Sequence, residues 1–205
     1  MNSWDKSDTK ISEKTYTVNS ETYMHTQIPT WPSIGPKDID LMLRLRKAGA
    51  DHRKYLRMIV VWTDITAPLY WWKEFDTYKV GTVADSCSTM HKIAAKEFTM
   101  DDFSHDHLAP STVIKSDTKS PIEVLSDTIS VLNNSRKKYL ETKDKAYWWE
   151  MIQLLPSSYN QNRTVELNYE VLTNIYFARK NHKLDEWHVF CDWIEKLPYS
   201  QIITL

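Results

Sequence analysis

The run YLRMIVVWTDITAPLYWWKEFDTYK, residues 55–79, changes character at Ala67-Pro68. Before that pair, residues 55–65 are dense in β-branched and aromatic side chains, which suit a pleated, half-buried surface and predict a strand. Proline has no N–H to carry a ladder onward, so the strand is expected to end there. Beyond it, Leu69, Trp72 and Phe75 recur at helical spacing and predict a helix over 69–79. A strand that turns directly into an apolar helix needs a mixed architecture. Further helices are predicted from Pro36 to about Ala48, from Pro121 onward (Ile122, Leu125, Ile129, Leu132), and over 146–156, 163–180 and 184–197. Residues 15–25 have strand-like composition, broken by three prolines between 28 and 36. The expected class is α+β, mostly helical around a small β-sheet. An N-terminal arm or strand over 1–30 is expected to precede one domain over 31–205, with a loop at 103–121.

Composition narrows the partners. The net charge is −1 over 205 residues, which gives no electrostatic case for nucleic acid or an anionic membrane. Two cysteines, Cys87 and Cys191, are too few for a disulfide framework. The opening residues MNSWDKSDTKISEK lack the apolar stretch of a secretory signal, and no apolar run reaches the ~20 residues of a membrane span. A cytoplasmic protein is expected. Nine tryptophans and eleven tyrosines supply more large aromatic surface than one small core covers, which points to a homo-oligomer.

Two polar residues stand out in the predicted helix over 163–180. Asn168 and Arg179 are eleven residues apart, three turns plus roughly 20°, which puts them on one face about 16 Å apart. Leu172 and Ile175 share that stripe. A buried guanidinium needs a partner, so the pair marks either an internal salt bridge or a helix cap, or else brackets a polar ligand. Elsewhere the stretch EFDTYKVGTVADSCST, residues 74–89, turns abruptly small and polar after its aromatic neighbour. It is either a solvated loop or the wall of a pocket.

These residues resemble the flavin-dependent thymidylate synthases. In that family a Leu-Pro is followed by an Asn twelve residues after the Pro, then a Leu four and an Arg eleven beyond the Asn. Leu155-Pro156, Asn168, Leu172 and Arg179 repeat the spacing, and Tyr139-Leu140-Glu141 matches the preceding helix. His52, RMIVVWTDI and Ala67-Pro68 match the family's His, strand and Ala-Pro. The resemblance runs from about residue 40 to 195 and is to divergent, prophage-encoded members. It implies the thymidylate synthase complementing-protein-like fold, a homotetramer, FAD as a possible cofactor, and a pyrimidine nucleotide ligand.

It also exposes what has changed. Thr77-Tyr78-Lys79 stands where the family has Arg-His-Arg, and Cys87 where it has a Ser. Glu74 replaces a Gln, Asp85 a Glu, and Thr89, Ile152 and Glu170 each replace an Arg. Charge-assisted bonds worth roughly 1.5–3 kcal/mol each are lost at four positions, a total that rivals the ~8 kcal/mol behind a micromolar site. Ordinary dUMP methylation is therefore not expected.

The polar residues that remain are the candidate ligand-binding set: His52, Glu74, Tyr78, Lys79, Asp85, Ser88, Asn168 and Arg179, with Cys87 and Ser88 as candidate catalytic groups. Lys79 and Arg179 are assigned to anionic ligand groups, Asn168 and Ser88 to a base or sugar, and Tyr78 or Phe75 to stacking. The alternative is a collapsed pocket in which Glu74 and Asp85 pair with Lys79 and Arg179. No metal site is expected, since His105 and His107 lie in the predicted loop without a partner cluster. The leading expectation is a nucleotide-binding protein, one that sequesters a nucleotide signal for a bacteriophage. A flavin-dependent transferase with a remodelled site and a structural or regulatory oligomer with a vestigial pocket are the alternatives.

Overall fold

The computed structural model describes residues 11–18, 21–29, 34–86, 88–108 and 119–205. Strands β1 (Ile11–Val18) and β2 (Glu21–Pro29) form an antiparallel hairpin of their own, with Val18 opposite Glu21 and a bulge between Ser12 and Lys14. The single strand-like stretch expected at 15–25 is thus two strands.

Helix α1 (Pro36–Lys47) opens on a proline, whose missing N–H costs nothing in the first turn, and ends with Arg44, Arg46 and Lys47 against its negative pole. A 3₁₀ turn follows at Lys54–Met58, and strand β3 runs from Val60 to Pro68. The strand predicted at 55–65 therefore starts late. Leu56 is fully buried and the Tyr55 hydroxyl donates to the Met42 carbonyl at 2.8 Å, contacts that need the turn. Helix α2 (Leu69–Phe75) buries Trp71, Trp72 and Phe75 and stops four residues short of the expected 79. Its end is fixed by Thr77, whose hydroxyl donates to the Glu74 carbonyl at 2.7 Å.

The polar stretch after it contains an unexpected strand, β4 (Thr82–Ser86), followed by the single turn α3 (Thr89–Lys92). Helix α4 (Pro121–Thr142) has a reciprocal Ser120/Glu123 cap, and α5 (Lys145–Leu154) packs back on it. The helix expected over 163–180 is two elements. Strand β5 (Asn160–Asn168) comes first, then α6 (Tyr169–Arg179). Val165 and Leu167 are buried while Thr164 and Glu166 are not, an alternation of period two that only a strand satisfies. Helices α7 (Asp185–Glu195) and α8 (Gln201–Thr204) complete the chain.

The main sheet is antiparallel in the order β3-β5-β4, with Val61 opposite Leu167 and Thr82 opposite Leu167 on its other side. The class is α+β, as expected. One core lies between this sheet and α2, α6, α7 and α8, centred on the touching rings of Trp71, Trp72, Phe75, Trp187 and Phe190. A second lies under α4 and α5, around Phe98, Phe103, Leu132 and Met151. Phe103, assigned to the loop at 103–121, is buried and bridges Tyr159, so that loop starts later; residues 109–118 lie outside the described set. No helix among the described residues is long and apolar enough to cross a membrane.

Candidate functional site

The predicted site residues fall into three groups. The first is built on Glu74, at the end of α2. Its Oε2 accepts from Arg179 Nη1 at 2.7 Å and from Trp187 Nε1 at 2.9 Å, with His182 Nε2 at 3.4 Å. Arg179 Nε donates to the Tyr78 hydroxyl at 2.9 Å, and the guanidinium lies over the Trp187 ring, 4.7 Å from its centroid. Both charges of the pair are thus met inside the chain. Trp187, on α7, is fully buried and would otherwise leave its N–H unsatisfied.

Asn168 does not share a helix face with Arg179, because it ends β5 and caps α6. Its Oδ1 accepts from the Val171 N–H at 3.0 Å. Its amide nitrogen is packed against Gly81, which holds φ +78°; a Cβ there would lie 2.8 Å from Asn168 Nδ2. Of the two readings of the Asn168/Arg179 pair, the geometry is cap and salt bridge. Asp85 and Lys79 do not join this cluster. Both are exposed, Asp85 on β4 opposite Thr164 and Lys79 in the turn before it.

The second group surrounds His52, which is exposed in the turn after α1. Next to it, Arg53 Nε straddles the Glu170 carboxylate at 3.1 and 3.0 Å, and Arg53 Nη2 donates to Asn174 at 3.3 Å. Glu170 is buried at the start of α6 and Oε2 lacks a well-directed donor. Arg46 lies within this field. Burial and the Arg53 charge lower its pKa, while Glu170 opposes them.

The third group lines a cavity of about 530 Å³ between α3, the following segment and the start of β5. Ser88 is at its mouth, bonded to His91 Nδ1 at 2.7 Å and capping α3. Thr89 accepts from Gln161 at 3.0 Å. Asn160 and Asn162 flank Gln161 on the wall, Phe98 contributes a ring, and Lys92 and Lys96 supply positive charge. Lys96 is bound by Asp102. Burial tends to raise the Asp102 pKa, but Lys96 and the Thr99 N–H outweigh it and the carboxyl titrates below its usual range. Lys92 has no ion pair among the described residues. Cys87 lies outside the described set, so its candidacy as a nucleophile has no geometry here.

Sequence reasoning missed His182 and Trp187, which complete the Glu74 cluster, and Lys92 with the Asn160–Gln161–Asn162 wall. Trp187 had a signal in its place on the strongly amphipathic α7. The amides had one in three consecutive polar residues opening a strand. His105 and His107, weighed as metal ligands, are tied instead to the Phe103 carbonyl at 2.7 Å and to Asp185 at 3.1 Å.

No family model and no curated protein sequence matches the chain. Solved structures do. The flavin-dependent thymidylate synthase of Helicobacter pylori, complexed with FAD and dUMP, superimposes with a TM-score of 0.60 at 17% identity over 83% of each chain. A second structure of that enzyme with FAD and dUMP gives 0.59 at 16% identity, over 83% of this chain and 85% of the other. The chain has the fold of the flavin-dependent thymidylate synthases. Within that thymidylate synthase fold, the spacing shared from Leu155-Pro156 to Arg179 places a strand end, a helix cap and a helix terminus.

Proposed function

We propose that this chain binds a nucleotide-like ligand on a flavin-dependent thymidylate synthase scaffold and does not methylate dUMP. The observation that carries the reading is the commitment of Arg179. Its donors serve Glu74 and Tyr78 and its face covers Trp187, so the strongest anchor for a phosphate is already neutralised. Binding itself is supported by the matched structures, which hold FAD and dUMP, and by the cavity beside Ser88. Its volume falls in the range of small-molecule sites. In it Lys92 would meet an anionic group, the side-chain oxygens of Asn160 and Asn162 would accept from a base, and Ser88 would contact a sugar.

The residues facing the other side do not fit a flavin dinucleotide. Thr77 donates its hydroxyl to the Glu74 carbonyl, Tyr78 is a neutral phenol whose oxygen accepts from Arg179, and Glu170 brings a carboxylate where the resembled family has an Arg. A diphosphate needs charge-assisted donors there, and no step through a flavin is derived. His52, Lys79 and Asp85, all exposed, suit a site completed by another copy of the chain, in keeping with the homotetramer that the resemblance implies. Sequestering a nucleotide rather than transforming it fits a site whose anchor is neutralised.

Thermal-shift titration with dUMP, FAD and ADP-ribose, each to about 1 mM, tests the reading. Stabilisation by one of them that Lys92→Ala removes supports it, and no shift with any of them refutes it. Purified protein that absorbs at about 450 nm and converts dUMP to dTMP would overturn the non-methylating half.

A further inference from the structure

We infer that the free edge of β3 is a docking groove for an extended basic polypeptide segment, which adds to the sheet as a fourth strand. β3 stands at the outside of the order β3-β5-β4, so its ladder is filled on one side only among the described residues. Alternate residues of such a strand direct N–H and C=O groups outward. Thr63, Asp64, Ile65, Thr66 and Ala67 all line one cavity of about 320 Å³. Side chains of a strand alternate between faces, so five residues in a row share a cavity only where it runs along the edge. Its far wall is α7, through Val189, Phe190 and Trp193, and Trp71 closes it below. A second cavity of about 600 Å³ continues the groove past Pro68, sharing Thr66, Glu186 and Val189 with the first.

Two features specify the occupant. Trp71 is 1% exposed, and its Nε1 donor is buried with no hydrogen-bond partner. Such a donor is costly to leave unmet, and an acceptor delivered along the groove relieves it. The second feature is charge. Asp64 and Glu186 line the first cavity, Asp101, Asp106 and Asp185 line the second together with His105 and His107, and no Lys or Arg lines either. A strand with cationic side chains on one face and small apolar ones on the other meets both walls. Its apolar face would lie against Phe190 and over Val189, which is 70% exposed. Main-chain hydrogen bonds would supply affinity and the alternating side chains selectivity.

The probe is a fluorescein-labelled nonapeptide of alternating Lys and Val, matched to the nine residues of β3 and followed by anisotropy with the full chain. Controls carry Glu in place of Lys, or backbone N-methyl groups at the odd or the even positions. Saturable binding is expected. One N-methylated version and the Glu version should each bind at least about tenfold more weakly, and so should the Val189→Arg protein at unchanged melting temperature. The indole N–H resonance of Trp71, assigned with Trp71→Phe, should shift on binding. No binding up to about 1 mM, or equal binding by both N-methylated versions and the parent, overturns the inference. So does self-association that Val189→Arg abolishes in the absence of peptide binding, which would give the groove to a second copy of the chain.

Discussion

The Glu74 cluster and the cavity beside Ser88 are both polar and differ in how completely their groups are paired. In the first, carboxylate, guanidinium, phenol and indole satisfy one another across α2, α6 and α7. In the second, Lys92 faces open volume with no ion pair among the described residues, while the amide nitrogens of Asn160, Gln161 and Asn162 donate to Asp101, Thr89 and Thr66 and leave the Asn160 and Asn162 side-chain oxygens toward the cavity. Polar groups that complete a closed network stabilise the chain, and removing one member strands the others. Polar groups facing a cavity contribute little to folding and remain available to a ligand. A conserved-looking Arg is therefore a poor guide to a binding site until its partners are known.

A graded series of substitutions separates the two regions. Glu74→Ala should have the largest effect, about 3 kcal/mol by urea unfolding, because it leaves the Arg179 charge unpaired and the buried Trp187 N–H without an acceptor. A loss below about 0.5 kcal/mol would mean the cluster is not structural. Gly81→Ala should cost about 1–2 kcal/mol, since its φ of +78° is unfavourable for alanine and the new Cβ meets Asn168. Asn168→Ala should cost about 1 kcal/mol for the lost cap. The double variant should fall short of the sum, because the two residues touch.

On the cavity wall the effects shrink. Asp102 has a lowered folded-state pKa, so its contribution is present above the unfolded pKa and is lost as pH falls through the folded one. The stability gap between wild type and Asp102→Asn should narrow as pH falls from about 5 to about 2, and a gap that stays constant would contradict the Lys96 pairing. Lys92→Ala should change stability least, by under about 0.5 kcal/mol, while removing any nucleotide-induced stabilisation. If Lys92→Ala destabilised the chain as Glu74→Ala does, the contrast between the regions would collapse.

The sequence disclosed these features unevenly. Helix α4 was legible because a Pro start and apolar residues at 3–4 spacing act within one stretch. β5 was not, since Val165, Leu167, Tyr169 and Leu172 satisfy a period of two and then of 3.6 with no break between them. β4 carries no periodic signal at all. Apart from half-buried Thr82, its side chains are exposed, and the ladder to β5 holds it in place. In the site, the approach of Glu74 to Arg179 joins positions 105 residues apart, which no local pattern encodes. The resemblance supplied the register of Asn168 and Arg179, and the collapsed-pocket alternative put Glu74 among the acids that could pair with Arg179, but Tyr78 and Trp187 meet that pair only once the chain is folded.

Arg53 and Glu170 restrict each other's replacement. An arginine placed at position 170 alone would crowd three guanidinium groups, with Arg46 and Arg53, into a half-dry corner, and replacing Arg53 alone would orphan a buried carboxylate. Either single step is penalised, so this corner gains net positive charge only through paired substitutions, and each residue of the Arg53–Glu170 pair holds the other in place.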